Sequence, residues 1–285
     1  MANDEHVALL KKGVAAWNEW RAENPNIRPN FNEANLHEAN LSGVNLNEAD
    51  LIRANLSAAN LSAALLSRAF LAGADLSDAD LSDAHLIDAH LIEADLSRAN
   101  LSGAKLDGAN LYNANLDWVK LGGAHLSRAK LTRANLNGGE ARRSDLSGAN
   151  LNGANLNGVD LHEANLSEAD LTGANLSEAN LSGANLSEAN LSRTDLSRAK
   201  LTLSDGSRIA WLDKALLREA NLTGANLGTA LLREADLTGA NLGTALLGEA
   251  DLTGANLSKA DLGGANLARA KLIDARLIGA HRCAP

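Results

Sequence analysis

The chain has 285 residues and a formal net charge of −9, and aromatic residues make up only 2% of it. Its apolar residues are mostly Leu and Ala, which indicates a regular interior filled by one side-chain shape rather than an irregular globular core. A single cysteine, Cys283, excludes an internal disulfide framework.

The first predicted element is an amphipathic helix near the N-terminus. Its apolar face collects residues at spacings of three and four, namely Val7, Leu10, Val14 and Trp17. Asn3 or Asp4 would cap its start, and Pro25 follows soon after its end. We expect residues 1–28 to be a capping helix and a linker, because the first coil of a solenoid needs a cover. Partner binding is the alternative role for this helix.

From residue 29 onward the chain repeats one five-residue phrase. The stretch ANLSGANLSEANL at 179–191 shows the phrase as Ala, then Asn or Asp, then Leu, then two variable polar residues. A step of five turns an α-helix by about 500°, so successive Leu side chains would drift around it. On a flat strand an odd step alternates between the two faces. A solenoid fits the period, because each phrase can form one side of a coil with one Leu pointing inward.

The other positions of the phrase have their own requirements. Ala usually stands two residues before the central Leu, which indicates a second inward position with little room. Gly is common two residues after the Leu, as at Gly148, Gly183 and Gly254, and this predicts a turn with positive φ. The Asn or Asp directly before the Leu is expected to bond nearby backbone or to stack in ladders.

The spacing alone does not fix the number of sides of a coil. The stretch at 215–229 is echoed directly afterwards at 230–244, and an echo of three phrases is compatible with a three-sided coil. Duplication of interchangeable five-residue units explains the same echo.

These repeats resemble the A(D/N)LXX motif of the pentapeptide repeat family across nearly all of residues 29–282. The resemblance implies an all-β solenoid, specifically a right-handed quadrilateral β-helix with about 20 residues per coil. Phe31 to Leu201 supplies 35 central positions within the repeat region 29–201, and Leu212 to Leu277 supplies 14 more. At four sides per coil these positions make about 12 coils.

One break in the register lies at residues 202–209. Leu212 stands one position later than two whole phrases after Leu201 would place it, so a one-residue insertion is predicted. A surface loop is the simplest interpretation, and a docking loop is the alternative. Residues 210–285 would continue the β-helix.

A second irregularity lies at residues 137–145. The frame holds there, but the central Leu is replaced by Ala141, with Gly138 and Gly139 beside it. We expect a local bulge or bend, because the missing Leu leaves a packing defect.

The charge is distributed in bands, and one band is the candidate partner surface. Residues 98–143 carry a net charge of +5 between two stretches, 69–97 and 144–190, that each carry −7. Arg, Tyr and Trp together favour a protein-binding site. The candidate residues are Tyr112, Trp118, Arg128, Lys130, Arg133, Arg142 and Arg143.

At the C-terminal end we expect no helix comparable to the N-terminal one over the last Leu layer. Leu277 closes the register, and Arg282 stands where the next Leu would be. An open strand edge favours stacking onto another copy, so we expect a weak homodimer through the C-terminal coils. A monomer whose tail folds over its own last coil is the alternative.

The sequence favours a non-enzymatic scaffold that binds an unidentified protein. His85 and His90 are near several Asp residues, but nothing predicts a metal site, a cofactor or a catalytic group. The family resemblance implies one alternative, an acidic mimic of DNA that modulates DNA gyrase and confers quinolone resistance. Direct binding to nucleic acid is not expected. No apolar stretch of about 18 residues or signal peptide is visible, so a cytoplasmic protein without membrane segments is expected.

Overall fold

The computed structural model describes residues 1–202 and 209–281. It contains two compact units, Met1–Glu140 (unit 1) and Ala141–Pro285 (unit 2). Unit 1 begins with two helices, α1 (Asp4–Leu10) and α2 (Val14–Glu23). Apart from these helices, the backbone of the described residues pairs through isolated β-bridges rather than extended strands.

The N-terminal segment forms two short helices where the sequence predicted one. The side-chain oxygen of Asn3 accepts hydrogen bonds from the amides of Glu5 and His6, at 2.9 and 3.2 Å, and so caps α1. The helices are separated at Gly13, whose φ of 114° lies where L side chains are rarely found. The single-helix prediction is therefore wrong, whereas the Asn3 cap is confirmed.

The predicted apolar face is divided between α1 and α2. Leu10 and Trp17 are buried, and Val7 and Val14 are half-buried. The Trp17 ring packs against Phe31 of the first coil, with 5.2 Å between the ring centroids. All four residues thus contribute to the covered side of the helices, and Trp17 is the one fully removed from solvent.

Side chains of α2 bond to the exposed backbone edge of the first coil. The Trp17 Nε1 donates to the Asn45 carbonyl at 2.8 Å, and the Asn18 Oδ1 accepts from the Asn45 amide at 2.8 Å. The Arg21 guanidinium donates to the Asn47 carbonyl at 3.3 Å. Elsewhere in the unit these backbone groups bond to the preceding coil. The helix therefore satisfies groups that would otherwise lack a partner.

Each five-residue phrase forms one side of a coil and closes with a β-turn. In the phrase centred on Leu36, the Ala39 amide donates to the Leu36 carbonyl at 3.1 Å. Glu38, two residues after the Leu, has a φ of 56°, and Gly43 at the equivalent position has 68°. The predicted positive φ is confirmed, and it is set by the turn whether or not the residue is glycine.

Four sides make one coil. Asn30 bridges to Asp50 and Asn35 bridges to Asn55, in parallel, so paired residues are 20 apart in sequence. The Leu36 amide donates to the Asn55 carbonyl at 2.7 Å. This pairing excludes the three-sided coil suggested by the echo of three phrases. Residues 20 apart lie one above another, and we call such a set a column.

The sides of unit 1 are numbered by their central residues, each side including the two residues before and the two after. They are side 1 (Phe31 to Leu131), side 2 (Leu36 to Leu136), side 3 (Leu41 to Leu121) and side 4 (Leu46 to Leu126). Consecutive sides share a corner, and side 4 leads into side 1 of the next coil. Sides 2 and 4 are opposite each other.

The interior of each unit is built from Leu and Ala. Central residues such as Leu56 and Leu156 are fully buried, as are Ala59 and Ala149 two residues before a Leu. The predicted inward positions are confirmed. Because each Leu packs between identical neighbours, replacing one by Ala is expected to destabilise its unit by about 2–5 kcal/mol.

The residue before the central Leu, the ladder position, makes two kinds of side-chain hydrogen bond. The Asn60 Oδ1 accepts from the Ser62 amide at 3.1 Å, and the Asn60 Nδ2 donates to the Asn40 Oδ1 at 3.2 Å. The first bond fixes the turn and the second joins two coils. The predicted backbone bonding and stacking of Asn and Asp are both confirmed.

The insertion in unit 2 is longer than the sequence predicted. Asn185 pairs with Trp211 and Lys200 pairs with Asn226, so the partners are 26 apart in sequence where 20 is the rule. Six residues have therefore been added, not one. Thr202 and Ile209 pair with each other in an antiparallel bridge, which lets the chain leave the coil and return at one place. The loop between them lies outside the described residues.

The side centred on Ala141 keeps the ordinary geometry. Ala141 is buried, and its amide donates to the Asp160 carbonyl at 2.8 Å. Gly138 and Arg143 have φ of 64° and 57°, as their positions in the phrase require. The expected local bulge is therefore wrong, because the turn depends on backbone geometry rather than on the size of the central side chain.

The last coil of unit 2 exposes apolar side chains. Leu272 and Leu277 are 36% and 42% exposed, and Ile273 and Ile278 are more exposed still, at 63% and 77%. Arg282, which stands where the next Leu would be, lies outside the described residues. A contact between two copies at this end stays a prediction.

Candidate partner-binding surface

The candidate residues of unit 1 lie on three different sides. Tyr112, Lys130 and Arg133 belong to side 1, and Arg128 lies at the end of side 4, where it meets side 1. Trp118 belongs to side 2, the side opposite side 4. The structure therefore places Arg128 and Lys130 at the corner between sides 4 and 1, and Tyr112 and Arg133 in the turn at the other end of side 1, where it meets side 2. Trp118 lies on neither of these two sides.

Trp118 is a separate exposed feature. Its side chain is 60% exposed, and its ring lies directly over Gly138 of the next coil. A Cβ at Gly138 would lie 2.8–2.9 Å from atoms of the indole, so the glycine makes room for the ring. This contact orients the indole along side 2.

Arg142 and Arg143 belong to unit 2 and already have acidic partners. The Arg142 Nε donates to Asp160 at 2.5 Å, and the Arg143 Nε donates to Glu163 at 2.7 Å. A partner protein would have to compete with these carboxylates. These two arginines are therefore weaker candidates than the cations of unit 1.

Arg128, Lys130 and Arg133 are exposed and form no salt bridge in the described part of the chain. Arg98, on side 2, differs from these three residues because it has an acidic partner. Its guanidinium donates twice to Asp78, at 2.8 and 2.6 Å, and this contact lowers the pKa of the Asp78 carboxyl. Cations without an internal partner can bind an incoming acid without first giving up a contact.

A groove runs along the corner between sides 4 and 1. It has a volume of about 470 Å³, and most of its lining residues are charged or aromatic. The Phe70 and His90 rings are stacked in it, with centroids 4.6 Å apart and planes inclined by 10°. The Arg28 guanidinium covers the other face of Phe70 at 4.0 Å. Lys130 lines the far end.

The groove coincides with an interruption of the Asn/Asp ladders. On sides 4 and 1, seven of the eight ladder positions from 65 to 130 carry another residue, and only Asn110 remains. The seven are Leu65, Phe70, His85, His90, Lys105, His125 and Lys130. On side 2 every ladder position from 35 to 135 is Asn or Asp. We call sides 4 and 1 from Leu65 to Arg133 the interrupted face.

Sequence reasoning missed the contacts of Phe70 with Arg28 and His90, because it grouped residues by proximity in the chain. Grouping them in columns of 20 would have found the stack, since Phe70 and His90 are 20 apart. Among the described residues no group of three or more His, Cys, Asp or Glu could hold a metal ion. No helix in the described part of the chain has the length and apolar character needed to cross a membrane.

Comparisons with known proteins give one family. The family described as "Pentapeptide repeats (8 copies)" matches overlapping segments that together cover residues 30–202 and 212–281. No curated protein matches the chain.

Three solved structures illustrate the likeness. HetL, a pentapeptide repeat protein involved in heterocyst differentiation regulation in the cyanobacterium Nostoc sp. strain PCC 7120, is 33% identical, covering 83% of this chain and 91% of HetL with a TM-score of 0.43. Rfr23 from the cyanobacterium Cyanothece 51142 is 31% identical, covering 47% of this chain and 86% of Rfr23 with a TM-score of 0.28. Full-length QnrB1, a plasmid-mediated fluoroquinolone resistance protein, is 18% identical, covering 65% of this chain and 91% of QnrB1 with a TM-score of 0.31.

Members of this family are right-handed quadrilateral β-helices and are generally non-enzymatic structural or interaction proteins. The pairing of residues 20 apart and the phrase of five fit that architecture. The match covers most of the sequence and includes every side described above. The chain belongs to the pentapeptide repeat family.

Proposed function

We propose that the chain is a non-enzymatic, cytoplasmic scaffold of about 12 coils that binds a protein partner through the interrupted face. In this proposal α1 and α2 act as the N-terminal cap. The support for the cap is the bonding of Trp17 and Asn18 to the backbone edge at Asn45.

The main support for a binding surface is the interruption of the Asn/Asp ladders on sides 4 and 1. An Asn at a ladder position supplies a turn bond and a bond between coils, each with a net contribution of about 0.5–1.5 kcal/mol. Sides 4 and 1 give up most of these bonds over the same coils in which side 2 keeps them. Residues that stabilise the coil have been replaced by aromatic, basic and apolar residues that face solvent or line the groove. Such a local loss of stabilising contacts is typical of a functional surface.

The chemistry of the face suits an acidic protein surface. Tyr112 is 38% exposed and lies near Lys130 and Arg133 on the same side. Tyr and Arg are the residue types that most often dominate binding energy in protein interfaces. The absence of salt bridges at Arg128 and Arg133 in the described residues leaves both guanidinium groups available.

Capture of partners from extracts of the source cell tests this proposal. The full chain is immobilised in parallel with a variant carrying Arg128→Glu and Arg133→Glu, and with Lys120→Glu as the matched control. Lys120 is exposed on side 3 and lies outside the interrupted face. We expect a protein that binds the native chain and the Lys120 variant but is lost from the double variant. Equal recovery on all three would refute the assignment of the surface. Trp118→Ala tests side 2 in the same format.

The DNA-mimic alternative has less support in the structure. The acids of residues 69–97 lie on all four sides, with Asp88 on side 4, Glu93 on side 1, Asp95 on side 2 and Asp83 on side 3. A mimic of duplex DNA needs its charge concentrated along one face. Inhibition of gyrase supercoiling by the purified chain would nevertheless overturn the scaffold proposal in favour of this alternative.

A further inference from the structure

We propose that the groove on the interrupted face holds a Tyr or Trp side chain of the protein partner, inserted between His90 and Lys130. The inference rests on the proposed function, since the partner supplies the ring.

The stack already present in the groove is the template for the inserted ring. The Arg28 guanidinium lies 4.0 Å from the Phe70 ring, and the Phe70 and His90 rings are 4.6 Å apart and nearly parallel. That separation matches the spacing of about 4.8 Å between neighbouring strands. One more ring, placed one coil further along, would continue the stack with the same geometry.

The level of the groove between His90 and Lys130, which we call the layer above His90, is open because Asn110 and Gly108 do not fill it. The Asn110 side chain is held against its own backbone, since its Oδ1 accepts from the Tyr112 amide at 3.2 Å. Gly108 has no side chain, and both residues line the groove. His90 and Lys130 are two coils apart, or about 9.6 Å between their strands. One ring therefore fits, with about 4.8 Å on each side.

The walls of the layer favour an aromatic ring with a polar hydrogen. Lys130 can lie over the outer face of the ring as a cation–π partner, as Arg28 does over Phe70. The Asp88 carboxylate leans over Gly108, where its Oδ1 lies 2.5 Å from the position of an added Cβ. It lines the groove and can accept a hydrogen bond from a Tyr hydroxyl or a Trp indole N–H. Phe would lack that bond.

Nuclear magnetic resonance titration of the full chain with amino-acid amides provides the test. The probes are N-acetyl-tyrosinamide and N-acetyl-tryptophanamide, with N-acetyl-leucinamide as the aliphatic control. We expect saturable, millimolar binding of the aromatic amides with shifts at His90 and Asn110, and none for the leucine amide. His90→Ala and Lys130→Ala should each weaken binding by about 2- to 10-fold.

Two further variants keep the outcome unambiguous. His85→Ala is the matched control, because His85 occupies the same position of the phrase on side 4 but does not line the groove. It should leave binding unchanged. Asn110→Phe places a ring in the proposed layer while retaining His90 and Lys130, so it should abolish binding of both aromatic amides.

Three results would overturn the proposed ring-binding site between His90 and Lys130 without affecting the proposed function. The first is the absence of saturable binding up to the solubility of the probes. The others are undiminished binding to the Asn110→Phe chain and equal effects of His90→Ala and His85→Ala. Tighter binding of adenosine monophosphate than of either aromatic amide would make the occupant a nucleotide and also overturn the proposal. If the site between His90 and Lys130 binds the amides but the Arg128→Glu, Arg133→Glu double variant still captures the partner, the proposed function fails instead.

Discussion

Replacing Trp17 with Ala is expected to detach α2 from the first coil. Trp17 is fully buried, packs on Phe31 and donates through Nε1 to the Asn45 carbonyl. Truncating a buried Trp to Ala typically removes about 3–5 kcal/mol. A loss of about 4 kcal/mol raises the local opening equilibrium about 10³-fold, up to the limit set by a fully detached helix.

Native-state hydrogen exchange at the Asn45 amide measures this effect. That amide is protected by the Asn18 Oδ1, so it reports the docking of α2 rather than unfolding of the whole unit. Trp17→Phe is the matched control, because it keeps an aromatic ring against Phe31 but loses the Nε1 bond and part of the buried indole, with an expected cost of about 1–3 kcal/mol. The Asn100 amide, inside the coils, should exchange as before in both variants. If Asn45 exchanges at the native rate in a folded Trp17→Ala chain, the helix does not cap the coil as argued.

Three further predictions concern the ends of the chain and their response to pH. Deleting residues 1–24 should expose the first Leu layer and raise the mass measured by light scattering; an unchanged mass and melting temperature would contradict a capping role. Burial lowers the pKa of His6 below its ordinary 6.5, so the unfolded chain takes up a proton that the folded chain resists. The melting temperature should therefore fall as pH decreases below 6.5, and His6→Gln should reduce that dependence. Leu277→Arg should abolish a weak, concentration-dependent dimer in sedimentation; a native chain that stays monomeric at high concentration would rule the dimer out.

The five-residue period predicted most of the fold because one physical requirement acts on every phrase. Leu faces inward, the residue two before it must be small, and the residue two after it must accept positive φ. These requirements are local, so they can be read without knowing which coil a phrase belongs to. The number of sides per coil cannot be read from a single phrase, since Leu56 and Leu76 become neighbours only after the chain has closed a whole coil. The expectation of four sides came from the family resemblance.

Two of the wrong predictions, a one-residue insertion and a single N-terminal helix, also arose because local spacing does not show which residues pair. The step from Leu201 to Leu212 equals two phrases plus one residue, and it also equals one phrase plus six. Only the pairing of Asn185 with Trp211 distinguishes the two. The N-terminal face suggested a single helix because its spacing continues through Gly13, although Gly13 interrupts the backbone.

The candidate surface predicted from the sequence rests on charged and aromatic residues counted along the chain. On a four-sided coil, near neighbours in sequence point in different directions. Trp118 and Tyr112 are close in sequence but lie on different sides, whereas Phe70 and His90 are in contact. Chain proximity therefore groups residues by coil and does not show which corner of a coil each residue occupies.

The ladder position separates stabilising residues from functional ones in a way that the central position cannot. A central Leu inside the coils is needed by the core, so its presence says nothing about binding. An Asn or Asp at the ladder position stabilises the coil from the outside, and replacing it costs about 1–3 kcal/mol for its two hydrogen bonds. Replacement scattered over all sides would indicate tolerance. Between residues 65 and 135 of unit 1 the replacements are concentrated on sides 4 and 1, with Lys120 on side 3 as the one exception. Together with a Phe70–His90 stack that Arg28 covers at one end, this concentration supports the proposal that the interrupted face makes contacts outside the chain.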